Sequence, residues 1–97
     1  MMVYNFEWDP KKAAGNHEKH GVRFEHAATV FNDPRAISVY DDEHSAREDR
    51  WITLGFSAHA GLLAVHHTFE QVDESAVLIR IISSRKATKR EVQQYTG

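Results

Sequence analysis

Residues 77–95 constrain this chain more than any other stretch. Val77, Ile79 and Ile81 alternate with Leu78, Arg80 and Ile82, which is the two-residue period of a β-strand over 77–84. The strand carries an arginine in its middle and delivers Arg85 and Lys86 at its end. A helix then starts almost at once: Thr88 is placed as its N-cap, with Glu91 three residues on, the spacing of a capping box, and it runs to Tyr95. Guanidinium groups are always charged and offer a planar fork of donors suited to phosphate. Two of them on or beside a rigid strand point to phosphodiester chemistry; the competing reading is a pair of solvated rim charges.

The rest of the chain reads around that strand. Tyr4–Trp8 alternates apolar and polar residues as a short strand. Asp9-Pro10 supplies an N-cap and a proline at the first helical position, opening a helix over 10–20 with Ala13, Ala14 and His17 on one stripe, and Gly21 is suited to stop it. Phe24, Ala27, Ala28 and Phe31 share one face of a second helix, which Asn32-Asp33-Pro34 ends. Strands are expected over 36–40, 50–57 and 62–69, with an acidic loop over 41–49, a tight connection at Ala60-Gly61 and a polar hairpin loop over 70–75. The order β-α-α-β-β-β-β-α predicts one α+β domain over residues 1–97, with a mainly antiparallel sheet and both N-terminal helices on one face. If Ile79 and Ile81 face those helices, Arg80 faces the open side, and His66 joins it by the same alternation. His67 takes the opposite face, and one of these two adjacent histidines is expected to be packed and hydrogen-bonded.

Ninety-seven residues, 41% hydrophobic with ten aromatics, suffice for one core without staples. The absence of cysteine excludes disulfides, thiolate metal sites and cysteine nucleophiles. No apolar run approaches the ~18 residues of a membrane span and no signal pattern opens the chain, so a soluble cytoplasmic protein without membrane contact is expected. The formal net charge of −2 argues against nucleic acid, yet residues 80–90 hold Arg80, Arg85, Lys86, Lys89 and Arg90 with no acid among them. His17 and His20 are spaced to share a metal ion, but no accompanying ligand motif supports one. No metal or organic cofactor is expected. Trp8 and Trp51 could stack on bases, though core or interface packing is the commoner use of such residues.

The ordered set Phe6-Glu7-Trp8-Asp9-Pro10-Lys11-Lys12, Asn16, Lys19-His20-Gly21-Val22-Arg23-Phe24, Ala27-Ala28 and Phe31 resembles the opening of BrnT-type toxins of bacterial toxin–antitoxin pairs. Asp33-Pro34, His44-Ser45, Glu48-Asp49-Arg50, Ile52-Thr53-Leu54-Gly55, Gly61-Leu62-Leu63 and Arg80 through Glu91 to Tyr95 extend the resemblance over nearly the whole chain. Two places depart from the family pattern: Arg47 stands where a glycine is usual, and the hairpin before the last strand is longer and acidic, with Glu70, Asp73 and Glu74.

The resemblance implies a RelE-like fold and a ribonuclease that blocks translation. It also implies neutralisation in a hetero-oligomer by a BrnA-type antitoxin, through which alone operator DNA is bound. Carried over by position, it places Arg50, Arg80 and Arg85 at the reaction centre, with His20 of the Lys19-His20-Gly21 turn as a candidate acid or base; His66, beside Arg80 by strand alternation, is the other histidine suited to that role. Lys19, Lys86, Lys89, Arg90, His66 and Tyr95 are candidate RNA contacts. Metal-free RNA cleavage needs the 2′-hydroxyl deprotonated, the phosphorane charge stabilised and the 5′-oxygen protonated; arginines meet the second need. The alternative is a non-catalytic module whose task is to bind the antitoxin.

Overall fold

The computed structural model describes residues 1–97. Six strands, β1 (Val3–Glu7), β2 (Ile37–Tyr40), β3 (Trp51–Ser57), β4 (Gly61–His67), β5 (Glu70–Gln71) and β6 (Ala76–Lys86), form one mixed sheet. Its order is β1-β6-β4-β3-β2, with β5 also paired to β6. Only β1 and β6 run parallel; the other pairs are antiparallel. Three α-helices complete the α+β fold: α1 (Pro10–His20), α2 (Phe24–Ala28) and α3 (Lys89–Thr96). The helix expected through Phe31 tightens into a 3-10 turn at Thr29–Asn32. The polar loop expected over 70–75 begins with β5, which pairs with Leu78 and Val77.

The core lies on one face of the sheet. Val22, Phe24, Ala27 and Val30 pack against Leu63, Val65, Val77, Ile79 and Ile81, all fully buried. On β3 this face carries Thr53, Gly55 and Ser57, and the reason is proximity. A Cβ at Gly55 would sit 2.4 Å from Val30 Cγ1, so only glycine lets the 3-10 turn lie against the strand.

The stripe of α1 that meets the sheet differs from expectation. Ala14 and His17 are exposed, and Asn16 is the buried residue of the helix. Backbone satisfaction explains it. β1 pairs with β6 only as far as Arg80, which leaves the far half of β6 without a neighbour on that side. The Asn16 amide takes the place of a strand there, donating to Ser84 O at 2.9 Å and accepting from Ser84 N–H at 3.0 Å. It also donates to Val22 O at 3.0 Å.

β6 contains a bulge. His66 pairs with Ser83 but His67 pairs with Ile81, leaving Ile82 as the extra residue. Inward-facing positions therefore run Val77, Ile79, Ile81 and then Ser84. The change of phase puts Arg80 and Arg85, five residues apart, on the same outward face. Cross-strand partners agree, since Arg85 lies opposite Ala64 and His66 is two residues along on the same side of β4.

That outward face is not left bare. α3 lies across it, and Leu54 and Ala64 beneath are buried. Its start is fixed by the capping box: Thr88 Oγ1 accepts from Glu91 N–H at 3.2 Å and Glu91 Oε1 accepts from Thr88 N–H at 2.9 Å. The same Glu91 carboxylate takes both arms of Arg85, at 2.7 and 3.1 Å. At the other end Tyr95 Oη donates to Asp33 Oδ2 at 2.5 Å, and Asp33 in turn holds Phe56 N–H. The shared proton lowers the Asp33 pKa and raises that of Tyr95.

Two outcomes are expected. Asn16→Leu keeps the volume but strips partners from Ser84 N–H, Ser84 O and Val22 O. At about 1–3 kcal/mol per buried unsatisfied group, the urea midpoint should fall by an amount equivalent to roughly 3 kcal/mol; an unchanged midpoint contradicts the edge-filling role. The second concerns acid. Arg85 chiefly, and then Thr88, hold the Glu91 carboxyl down to about 2, against 4.5 for a free side chain. Protons bind more tightly to the unfolded state, so this contribution is complete above about 4.5 and is lost as pH falls toward 2. Melts between those values should show Glu91→Gln with a shallower acid decline than the parent, beside a loss of about 1–3 kcal/mol at neutral pH, chiefly from the lost Arg85 pair and then from the weakened cap.

Candidate functional site

Three elements converge on the outward face: the loop before β3, the last residues of β4 and the bulge of β6. Asp41, His44, Arg50, His66, Ile82 and Ser83 line a cleft of about 200 Å³ there. The acidic loop builds much of it. Asp41 ends β2 and is only 7% exposed, its N–H bonded to Arg50 O at 2.8 Å and its own carbonyl accepting from Ser45 Oγ at 2.5 Å. A 3-10 turn over Asp42–His44 then swings His44 back, so that its Nδ1 meets Asp41 Oδ2 at 2.8 Å. Ser45 Oγ accepts from Arg50 N–H at 3.0 Å, closing the loop onto the start of β3.

Arg50 lines this cleft and Arg80 and Arg85 lie on the same face of the sheet, each with a carboxylate partner. Arg80 Nη2 donates to Glu48 Oε1 and Oε2 at 2.6 and 2.5 Å, and Arg50 Nε reaches Glu48 Oε2 at 3.1 Å. Arg80, and more weakly Arg50, hold the Glu48 pKa below the ordinary range. Both guanidinium groups remain partly open to solvent, Arg80 at 41% and Arg50 at 32%. Arg85 is engaged by Glu91 on the far side of His66.

His66 occupies the middle. Its Nδ1 is 3.8 Å from Asp41 Oδ2, close enough to feel the charge and too far for a hydrogen bond. Burial lowers its pKa, with the nearby Arg85 charge adding to the effect and Asp41 opposing it. His67 faces the core, its Nδ1 2.9 Å from Thr68 O and its Nε2 2.7 Å from Thr53 Oγ1, with its ring edge-on to Phe31. Contact with a carbonyl requires Nδ1 to carry the proton, so Nε2 accepts from Thr53. Burial lowers this pKa too and keeps the ring neutral, as a satisfied core histidine should be.

Among the candidates from sequence, Arg50, Arg80, Arg85 and His66 gather on one face. The others do not join them. His20 is exposed in the last turn of α1, a helix packed on the opposite face, and lines none of the cleft. Its position is that of a basic residue facing the negative end of a helix. Lys19 is exposed on the same helix. The bulge that turns Arg85 outward sends Lys86 the other way, where its Nζ bonds Ala60 O in the β3–β4 turn. Tyr95 is engaged by Asp33 and tethers α3, so it is not a free stacking surface. Lys89 and Arg90 are exposed at the start of α3. Trp51 lies edge-on to Tyr40 beside Arg50, and Trp8 edge-on to Phe24 against the core. His17 and His20 gain no third ligand, and no three His, Asp or Glu side chains are placed to share one ion.

Sequence reasoning passed over Glu48, Glu91, Asp41 and His44. Glu48-Asp49-Arg50 and His44-Ser45 stood in the matched motifs, but their acidic surroundings suggested a solvated loop. Asp41 is distinguished only by burial, which no spacing reveals.

Comparison with known proteins bears directly on this arrangement. The sequence pattern of the family described as "Ribonuclease toxin, BrnT, of type II toxin-antitoxin system" matches residues 8–91, which include the whole cleft. A 1.1 Å crystal structure of the Brucella abortus ribonuclease toxin BrnT superimposes with a TM-score of 0.57 at 25% identity, covering 92% of this chain and 100% of that one. No curated protein matches. The family pattern spans most of the chain and the solved toxin shares its architecture. This chain therefore belongs to the BrnT family of ribonuclease toxins from type II toxin–antitoxin systems.

Proposed function

We propose that this protein is a RelE-like endoribonuclease that needs no metal ion and cuts RNA to arrest translation, with Arg50, Arg80 and Arg85 as the phosphate clamp. The observation that carries the reading is that the three arginines share one face of the sheet: Arg50 lines the cleft, Arg80 is joined to it through Glu48, and Arg85 lies near enough to His66 for its charge to act on that ring. Cleavage through a 2′,3′-cyclic phosphate adds negative charge at phosphorus in the transition state. Fixed donors aimed at that charge are the main catalytic term available without a metal. Lys89 and Arg90, exposed beyond Arg85, extend the positive surface along which a strand would run.

A BrnA-type antitoxin is the proposed partner in a hetero-oligomer, with operator DNA bound only through it. Membership of a two-component family supports this. So does apolar surface left exposed near the site: Val39 and Phe56 on the α3 side of the sheet and Val92 on α3. The cytoplasm, where mRNA is translated, is the proposed place of action; no helix is long and apolar enough to cross a membrane.

One observation favours a different reading. Glu48 and Glu91 already hold all three arginines, as an interaction module with no substrate would allow. Expression without the antitoxin separates the two: growth arrest with loss of intact mRNA is expected of the enzyme and indifference of the module. In vitro, the purified chain should cut a defined RNA in EDTA, leaving 2′,3′-cyclic phosphate or 3′-phosphate ends. Arg80→Gln and Arg85→Gln should each slow cleavage by about 10²–10³, Arg80→Gln with melting little changed and Arg85→Gln with a lower melting temperature from the lost Glu91 pair while still folded under assay conditions. Undiminished rates in both would remove the clamp.

A further inference from the structure

Resting on that ribonuclease reading, we propose that His66 and His44, bridged by the buried carboxylate of Asp41, are the proton-transfer pair of the cleavage reaction. His66 would act as base and His44 as acid. Both rings line the same cleft, against Ser83 at the bulge and Arg50 at the start of β3. Asp41 stands between them on a single oxygen, 2.8 Å from His44 Nδ1 and 3.8 Å from His66 Nδ1. The Nε2 atoms of both rings are free of protein partners.

The two rings differ in the ways that an acid and a base should. Asp41 Oδ2 fixes the His44 Nδ1–H and so orients the ring with Nε2 outward. His44 is 57% exposed, able to reach a leaving group at the mouth of the cleft. His66 is 23% exposed and faces Asp41 and His44 from the loop, Arg50 from β3, Arg85 from β6 and Glu91 from α3. Desolvation and the Arg85 charge favour its neutral form, which is the form that accepts a proton.

The step balances without a co-reactant. His66 Nε2 takes the 2′-hydroxyl proton as the 2′-oxygen bonds to phosphorus. The bond from phosphorus to the 5′-oxygen breaks, and that oxygen receives the proton from His44 Nε2. The products are a 2′,3′-cyclic phosphate and a 5′-hydroxyl. Asp41 neither gives nor takes the transferred proton and is a positioning residue.

The test uses the purified full chain and two short RNAs of one sequence, the second with sulfur in place of the scissile 5′-oxygen. A thiolate leaves without protonation, so the second substrate bypasses the acid. On ordinary RNA, His44→Gln and His66→Gln should each lose about 10²–10⁴-fold in rate. On the sulfur substrate His44→Gln should recover to near the parent's rate and His66→Gln should not. The parent's bell-shaped pH profile should lose its acidic limb in His66→Gln and its alkaline limb in His44→Gln, and Asp41→Asn, which removes the charge that raises the His66 pKa, should move the acidic limb downward. A merely structural role for His44 predicts equal losses for His44→Gln on both substrates, and that result would overturn the assignment. So would unslowed cleavage of ordinary RNA by either variant, while leaving the arginine clamp intact. A parent that cuts neither substrate sinks the ribonuclease reading and this pair together.

Discussion

The candidate site depends on one extra residue in β6. Side chains on a strand alternate with a period of two, so residues five apart belong on opposite faces. Arg80 and Arg85 share a face only because the bulge at Ile82 changes the phase between them. The same shift keeps Ile81 and Ser84 both inward, so the core loses nothing by it. A regular strand would have to choose between burying Arg85 and exposing the side chains that meet α1. Bulges cost ladder pairing and are found where a side chain must be re-aimed; here the re-aimed group is a guanidinium.

Holding a bulged strand in place requires support on both sides. On the inner side the Asn16 amide completes the backbone pairing of Ser84, the next inward residue after the bulge. On the outer side α3 spans the sheet from Arg85 to Asp33, clamped by Glu91 at one end and Tyr95 at the other. A short helix of eight residues has little stability of its own. Its capping box, its ion pair and its tyrosine tether are what keep it over Leu54 and Ala64. The structural support and the chemistry thus share residues: Arg85 is both an anchor for α3 and a member of the arginine group.

The sequence made the five longer strands, helices α1 and α3 and the outward direction of Arg80 and His66 legible, because alternation and capping act over a few residues and leave local signatures. His67 was likewise readable as the inward neighbour of His66. The bulge was not readable, since one inserted residue in an apolar run changes neither composition nor propensity. The role of Asn16 was hidden for a related reason. It answers a backbone vacancy created by where β1 stops pairing, sixty-eight residues away along the chain. His20 rested on motif position and His66 on strand alternation, while nothing local marked His44, which is distinguished only by its contact with a carboxylate that burial sets apart. Long-range satisfaction of polar groups decides such positions, and it appears only once the strands are paired.

The carboxylates on the arginines bear on how such a site would work. Three guanidinium groups gathered beside His66 would repel one another without counter-charges, and Glu48 and Glu91 supply them in the free protein. An incoming phosphodiester must compete with these carboxylates for the donors, so part of its attraction is spent on exchange. That competition weakens ground-state binding and transition-state binding by the same amount. The phosphorane carries one more negative charge than the substrate phosphodiester, so its advantage over the substrate survives the exchange in full. Only interactions that strengthen between those two states raise kcat. Internal carboxylates therefore raise KM without blunting catalysis, and they let a net-acidic protein keep a cluster of arginines ordered until RNA arrives.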